Sequence, residues 1–260
     1  MSAARRLIVN ADDFGFTLDV NRGIIEAHRA GILTATTLMA NGPAFEDAVK
    51  LARETPSLDV GAHLTLVGGP GQPSTVTALL TAMARGRVRV YDEFAAQVSR
   101  IVDAGIAPTH LDTHKHTHLL PNVLNGVLRV AHEFQVPWVR APFDHRVAGG
   151  SWKARSIALI EARFRRKLAA SGCRATDQFA GFDMTGRFGA ADLAALIERL
   201  PGGVTEFMCH PGYCTAQLRA ARTRLKESRE RELTALLASE VRESLARSGV
   251  ELIGYRALAR

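Results

Sequence analysis

Four of the nine histidines fall in one short run, His110-Leu-Asp-Thr-His114-Lys-His116-Thr-His118. Side chains alternate across a strand, so His110, Asp112, His114, His116 and His118 share a face for as long as the segment stays extended. Several imidazoles with a carboxylate among them suit a divalent cation better than a core. Neutral imidazole ligates zinc, and a nearby carboxylate ligates it too or orients a neighbouring ring. One histidine alone would read as a polar strand end near the surface; the cluster argues for metal.

Other residues of the same chemical kind lie elsewhere. Leu7-Ile8-Val9 runs into Asn10-Ala-Asp12-Asp13-Phe-Gly15. Adjacent carboxylates at a strand's end repel unless a cation lies between them or one is protonated. The bland alternative is a solvated turn or helix cap, which a buried strand before them disfavours. His63 sits inside the apolar run Leu58–Leu66, where a lone histidine is usually a hydrogen-bonded core residue. Arg140-Ala-Pro142 follows Val136–Val139, and His210-Pro-Gly212 follows Thr205–Cys209. Taken singly, Arg140 reads as a surface or ion-paired residue and His210 as a loop histidine.

What promotes them is the pattern of elements. Strand-like runs at Leu7–Ala11, Ala35–Ala40, Leu58–Leu66, His110–Thr113, Trp138–Ala141, Gln178–Ala180, Glu206–Cys209 and Glu251–Ile253 alternate with helical periodicities. Helices are predicted around Val20–Ala27, with Thr17 or Asp19 as cap and Gly31 as stop, and over 45–52, 94–102, 123–134, 157–168, 193–200 and 225–245. Such alternation predicts a parallel sheet covered by helices, and 260 residues favour its closure into a distorted TIM-like α/β barrel, one domain over 1–260. Asp12-Asp13, His63, His114, Arg140 and His210 then all lie at or just past the carboxyl ends of strands, the face that carries chemistry in such barrels.

Composition excludes several classes. A 47% hydrophobic and 23% charged chain is ordinary for a soluble globular enzyme, and no apolar run has the length of a membrane span. The opening residues are too soon acidic for a signal peptide. Three cysteines, Cys173, Cys209 and Cys214, do not make a disulfide scaffold and point to a cytoplasmic setting. The net charge of +7 invites nucleic acid or an anionic membrane. With 6% aromatics and no recognisable nucleic-acid motif, no nucleic-acid partner is expected. The Gly68–Ser74 loop lacks the ending of a phosphate-binding P-loop.

The motifs Leu7-Ile-Val-Asn-Ala-Asp-Asp-Phe-Gly15, Gly61-Ala-His63, Thr109-His-Leu-Asp-Thr-His114-Lys-His116 and Met208-Cys-His-Pro-Gly212 resemble those of the YdjC-like carbohydrate deacetylases, which include chitooligosaccharide deacetylases. The His114-Lys-His116 form, Val139-Arg-Ala-Pro142 and Thr176-Asp-Gln178 followed by Gly181 are most similar to the branch associated with hopanoid biosynthesis, HpnK. The resemblance implies a barrel holding one divalent metal through Asp13, His63 and His114, and hydrolysis of an N-acetyl group from a sugar. It further implies Asp12 as catalytic base, Arg140 as the arginine that orients it and a protonated His210 as general acid. Lys115 stands where many sugar-active relatives carry another histidine.

Two imidazoles outweigh one carboxylate, so zinc is the expected ion, with magnesium second because it prefers more oxygen ligands. The expected substrate is an acetylated amino sugar, on the finer resemblance one linked to a hopanoid lipid, with a chitooligosaccharide as alternative. A lipid-linked substrate requires visits to the inner-membrane surface. Trp152, Ile157, Ile160, Phe164 and Leu168 recur at helical spacing among Lys153, Arg155, Arg163, Arg166 and Lys167, the division of an interfacial helix. The ordinary alternative is a barrel helix whose stripe packs on the sheet. Pro142–Ser151, with Gly149-Gly150, reads as a mobile flap. Two other classes remain. A glycoside hydrolase needs carboxylates about 5–9.5 Å apart across the scissile bond, and adjacent aspartates do not provide that. A non-catalytic sugar-binding barrel would tolerate Asp12→Asn.

Overall fold

The computed structural model describes residues 3–144 and 152–258. In chain order the elements are β1 (Arg5–Phe14), α1 (Leu18–Ala30), β2 (Ala35–Leu38), α2 (Phe45–Arg53), β3 (Asp59–Leu64), α3 (Val76–Ala84), α4 (Val90–Asp103), β4 (Leu111–Thr113), α5 (Pro121–Glu133), α6 (Trp152–Ala170), β5 (Gln178–Ala180), α7 (Ala190–Glu198), β6 (Gly203–Cys209), α8 (Ala216–Ala220), α9 (Glu227–Leu237), α10 (Ser239–Ser248) and β7 (Glu251–Leu252). Six strands pair in the order β4-β3-β2-β1-β6-β5, all parallel, with β7 on β1. The sheet curls, and among the described residues only single bridges, Leu111 to Val139, Trp138 to Arg174 and Asp144 to Phe179, span the gap between β4 and β5. The fold is therefore a distorted α/β barrel with one thin wall.

Alternation along β1 explains what its two faces do. Leu7, Val9 and Ala11 join the large apolar layer under the helices, while Ile8 packs inside the barrel with Ala35, Val204, Ile253 and Tyr255. Above that apolar plug the interior turns polar. His110 stacks on Tyr255 at 3.8 Å between ring centroids and meets Asn10 through Nε2 at 2.9 Å. Asp12, Asp112, Arg140 and Glu206 follow, all buried. The barrel interior thus grades from apolar to charged toward the strands' carboxyl ends.

Several local expectations are met. Thr17 caps α1 by accepting from Val20 N at 3.2 Å, and Gly31 ends it. Others need correction. The histidine run does not stay extended: after Thr113 the chain coils into a 3-10 turn, His114–Leu119, with Lys115 and His116 at positive φ. The five residues therefore do not share a face. In place of the strand expected over Trp138–Ala141, Trp138 and Val139 form single bridges, and the helix expected over 225–245 breaks at Ala238. The helix α3 had no clear sequence signal. The expected flap falls largely on residues 145–151, outside the described residues, as do the side chains of Trp152 and Lys153.

The apolar stripe of α6 divides in two. Phe164 and Leu168 pack into the core, whereas Leu159 and Ile160 are 51% and 53% exposed. Arg165 pairs with Glu161 at 2.7 Å and donates to the carbonyls of Thr176 and Asp177. It ties the helix to the barrel and is not part of a free cationic face.

Candidate metal centre and active site

Adjacent residues of a regular strand point to opposite faces, yet Asp12 and Asp13 both line the mouth of the barrel. A bulge makes this so. Between Ala11 and Phe14, β1 takes three steps where β2, from Thr36 to Leu38, takes two. Asp13 absorbs the extra residue at φ 71°, a left-handed conformation that aspartate tolerates better than most side chains. Gly15, at φ 94°, lets the chain turn away, and its N–H donates to Asn21 Oδ1 at 2.7 Å.

Asp13 Oδ1 lies 3.4 Å from His63 Nε2 and 3.3 Å from His114 Nδ1, and the two ring nitrogens are 3.2 Å apart. Ligands at about 2.0–2.1 Å around a tetrahedral zinc are separated by about 3.3–3.4 Å. The three donors thus form the face of a tetrahedron, open on its fourth side to a cavity of about 620 Å³. The second shell fits too. His63 Nδ1 bonds Asp112 Oδ1 at 2.7 Å, which leaves Nε2 for a metal, the usual carboxylate–histidine arrangement. Burial opposes a charge on the His63 ring, but Asp112 and Asp13 outweigh it and raise its pKa to about 10. At Asp13 burial again opposes ionisation, and Arg229, with His114 and His63, holds the carboxyl well below its usual range. A second group, Asp12, His63 and Asp112, also clusters. Both of its carboxylates are taken by Arg140, so it reads as an ion-pair net.

Arg140 is the hub beneath the mouth. Its Nη1 and Nη2 grip Asp12 at 2.8 and 2.7 Å, Nη1 also meets Asp112 at 2.7 Å, and Nε donates to Glu206 Oε1 at 2.7 Å. Asn10 Nδ2 adds a bond to Asp12 Oδ1 at 3.0 Å. His210 Nε2 lies 3.9 Å from Asp12 Oδ2, and its Nδ1 is buried without a partner. Burial lowers the His210 pKa despite the pull of Asp12, Glu232 and Asp13. That shift favours the neutral ring before substrate binds, whereas the resemblance implies a protonated acid.

The structure therefore brings Asp12, Asp13, His63, His114 and His210 to one mouth, with Arg140 buried directly beneath Asp12. It separates them from His110 and His118 of the histidine run. His110 pairs with Asn10 lower in the barrel, and His118 bridges Thr113 Oγ1 (2.6 Å) and the Arg140 carbonyl (3.0 Å). Burial depresses their pKa values to about 3 and about 4, so both stay neutral. His116 lines the cavity beside Phe182. Sequence reasoning missed two members. Glu206 looked like part of a strand. Arg229 lies in Ser228-Arg-Glu-Arg-Glu232, which reads as a solvated helix face; its only signal is that Arg229 and Glu232, three apart, share a side.

The comparisons with known proteins follow this geometry. The profile of YdjC-like proteins matches residues 6–247. A carbohydrate deacetylase of Brevibacillus brevis is 34% identical over 97% of this chain and 99% of its own length. One from Homo sapiens is 34% identical over 95% of this chain and 89% of its own. The crystal structure of a candidate cellobiose-phosphate cleavage protein from Enterococcus faecalis superposes with a TM-score of 0.77 at 27% identity, covering 98% of this chain and 99% of that one. A family profile spanning nearly the whole chain, together with relatives of this identity and coverage, shows that the chain belongs to the YdjC-like family.

Proposed function

We propose that this chain is a metal-dependent N-deacetylase that releases acetate from an acetylated amino sugar. The observation that carries the reading is the tetrahedral face of Asp13, His63 and His114 with an ion-paired but unliganded carboxylate, Asp12, beside it. The Brevibacillus brevis and Homo sapiens relatives are named carbohydrate deacetylases, which supports the same chemistry here. Two nitrogens and one oxygen favour zinc. An ion held there lowers the pKa of a water and polarises an amide carbonyl.

The chain's own residues do the rest. Asp12, held through both oxygens by Arg140 and by Asn10, takes the proton of the attacking water as general base. His210 is neutral at rest, so the proton it gives to the departing amine has to reach it during turnover. Its Nε2 is 3.9 Å from Asp12, a span that one water closes. The proton drawn from water thus passes by way of Asp12 and His210 to the sugar nitrogen, leaving acetate and a free amine.

The finer reading is a lipid-linked amino sugar of the hopanoid kind. Its support is the apolar exposure of Leu159 and Ile160 on α6 and of Phe182, 48% exposed, at the cavity itself. Among the described residues no helix is long and apolar enough to cross a membrane, so any contact is peripheral. Acetate release from N-acetylglucosaminyl hopanoid and from N,N′-diacetylchitobiose, each with and without chelator, tests both levels. Chelator-sensitive release is expected. Release that survives complete metal removal would refute the metal-dependent mechanism, and chitobiose as the better substrate would replace the lipid reading.

A further inference from the structure

Two buried arginines serve the adjacent aspartates, and they do so differently. Arg140 grips both oxygens of Asp12 in a fork. Arg229, from α9 and only 1% exposed, takes one oxygen of Asp13, its Nη2 lying 2.5 Å from Oδ2. The other oxygen, Oδ1, faces the two ring nitrogens. Arg229 Nε donates to the Leu225 carbonyl at 3.3 Å, while Nη1 is buried with no partner, in a residue that lines the cavity. Buried donors without acceptors are rare in native proteins and call for an explanation.

The approach of Arg229 is built into the packing. Gly212 donates its N–H to the Arg229 carbonyl at 3.2 Å, and a Cβ on Gly212 would lie 3.4 Å from Arg229 Cδ and 3.3 Å from Val20. A Cβ on Gly23 of α1 would come within 2.5 Å of Gly212 Cα. Helix α1, the His210-Pro-Gly212 turn and α9 close on one another through these glycines, and the guanidinium emerges beside Asp13.

We propose that Arg229 is a two-sided clamp: Nη2 restricts Asp13 to a single donor oxygen, and Nη1 is reserved for an acceptor oxygen that the substrate brings. A carboxylate free to bind through both oxygens would fill a second coordination position. Held at Oδ2, Asp13 offers only Oδ1, and the open side needed by a catalytic metal is preserved. Arg229 is in this respect a positioning residue. The free N–H then adds a charge-assisted bond on the same side of the cavity. Only this second, substrate-facing task rests on the deacetylase reading.

The test uses full-length Arg229→Met and Arg229→Lys, each checked for folding by circular dichroism. Three quantities are read: zinc Kd by chelator competition, the visible absorption of the cobalt-loaded protein, and kcat/KM for acetate release at saturating zinc. In Arg229→Met the zinc Kd is expected to rise about 10–100-fold, the usual cost of losing a second-shell partner. The cobalt bands should weaken as Asp13 becomes bidentate, and kcat/KM should stay depressed at least tenfold with the metal site full. Arg229→Lys keeps a charge for Asp13 but has no second arm. Its zinc Kd should lie near the wild-type value while kcat/KM remains depressed. Wild-type zinc affinity and cobalt spectrum in Arg229→Met would overturn the positioning task. Full kcat/KM at saturating zinc would overturn the substrate task and assign Nη1 to a bound water. If Arg229→Met does not fold, Arg229→Lys decides: a zinc Kd raised more than tenfold or a wild-type kcat/KM overturns the clamp. Absence of acetate release from the wild-type protein would defeat the deacetylase reading and leave the zinc result standing.

Discussion

The floor and the rim of the cavity are organised on opposite principles. On the floor every carboxylate has a buried cationic partner: Asp12, Asp112 and Glu206 share Arg140, and Asp13 has Arg229. On the rim Lys115, Arg187, Arg222 and Arg224 are exposed, and among the described residues no ion pair holds them. A low-dielectric floor fixes charges before substrate arrives, which is where preorganisation has its largest effect. The rim is left adaptable. Charge is paired and buried in the first region, unpaired and exposed in the second.

The sharpest way to break this comparison is to remove the hub of the floor. Arg140→Met would leave three buried carboxylates without their shared partner. Urea unfolding of the metal-free protein should show a loss of about 3–5 kcal/mol, the usual cost of breaking a buried pair from one side. A loss below about 1 kcal/mol would mean that the floor is not held by charge. Next in size is Asp12→Asn, which keeps the side-chain shape. Turnover should fall roughly two to four orders of magnitude with zinc content unchanged. Wild-type turnover would remove Asp12 from the reaction. Asp112→Asn is milder. It weakens the orientation of His63, and zinc affinity measured by chelator competition should drop about 10–100-fold.

The smallest effect is expected away from the floor. Leu159→Ser combined with Ile160→Ser should change stability by no more than about 0.5 kcal/mol, as exposed positions do. The same variant should sediment less with liposomes if α6 touches a membrane. Unchanged sedimentation would confine the substrate question to the cavity.

Much of this was legible in the sequence, for identifiable reasons. The run Leu7–Ala11 read as a buried strand because its apolar residues are continuous, and strand-end placement gathered Asp12, Asp13, His63 and His210 around one cavity with Arg140 beneath it. Asp112 was legible as an orienting carboxylate but not as the partner of His63, because cross-strand register, His63 opposite Asp112, is not written locally. The histidine run misled because alternation holds only while the backbone stays extended, and Lys115 and His116 leave that region without a glycine to announce it. Arg229 was invisible because its burial depends on Gly212 and Gly23, which lie far away in sequence.

The bulge at Asp12-Asp13 has a consequence for anyone who would move this chemistry elsewhere. Two neighbouring carboxylates meet different partners because the backbone turns one of them by a left-handed step. Grafting the six side chains onto a regular barrel would send one aspartate into the helical layer. The transferable unit is the irregular strand end from Asn10 to Gly15 with the register it imposes on β2, and the side chains are its passengers.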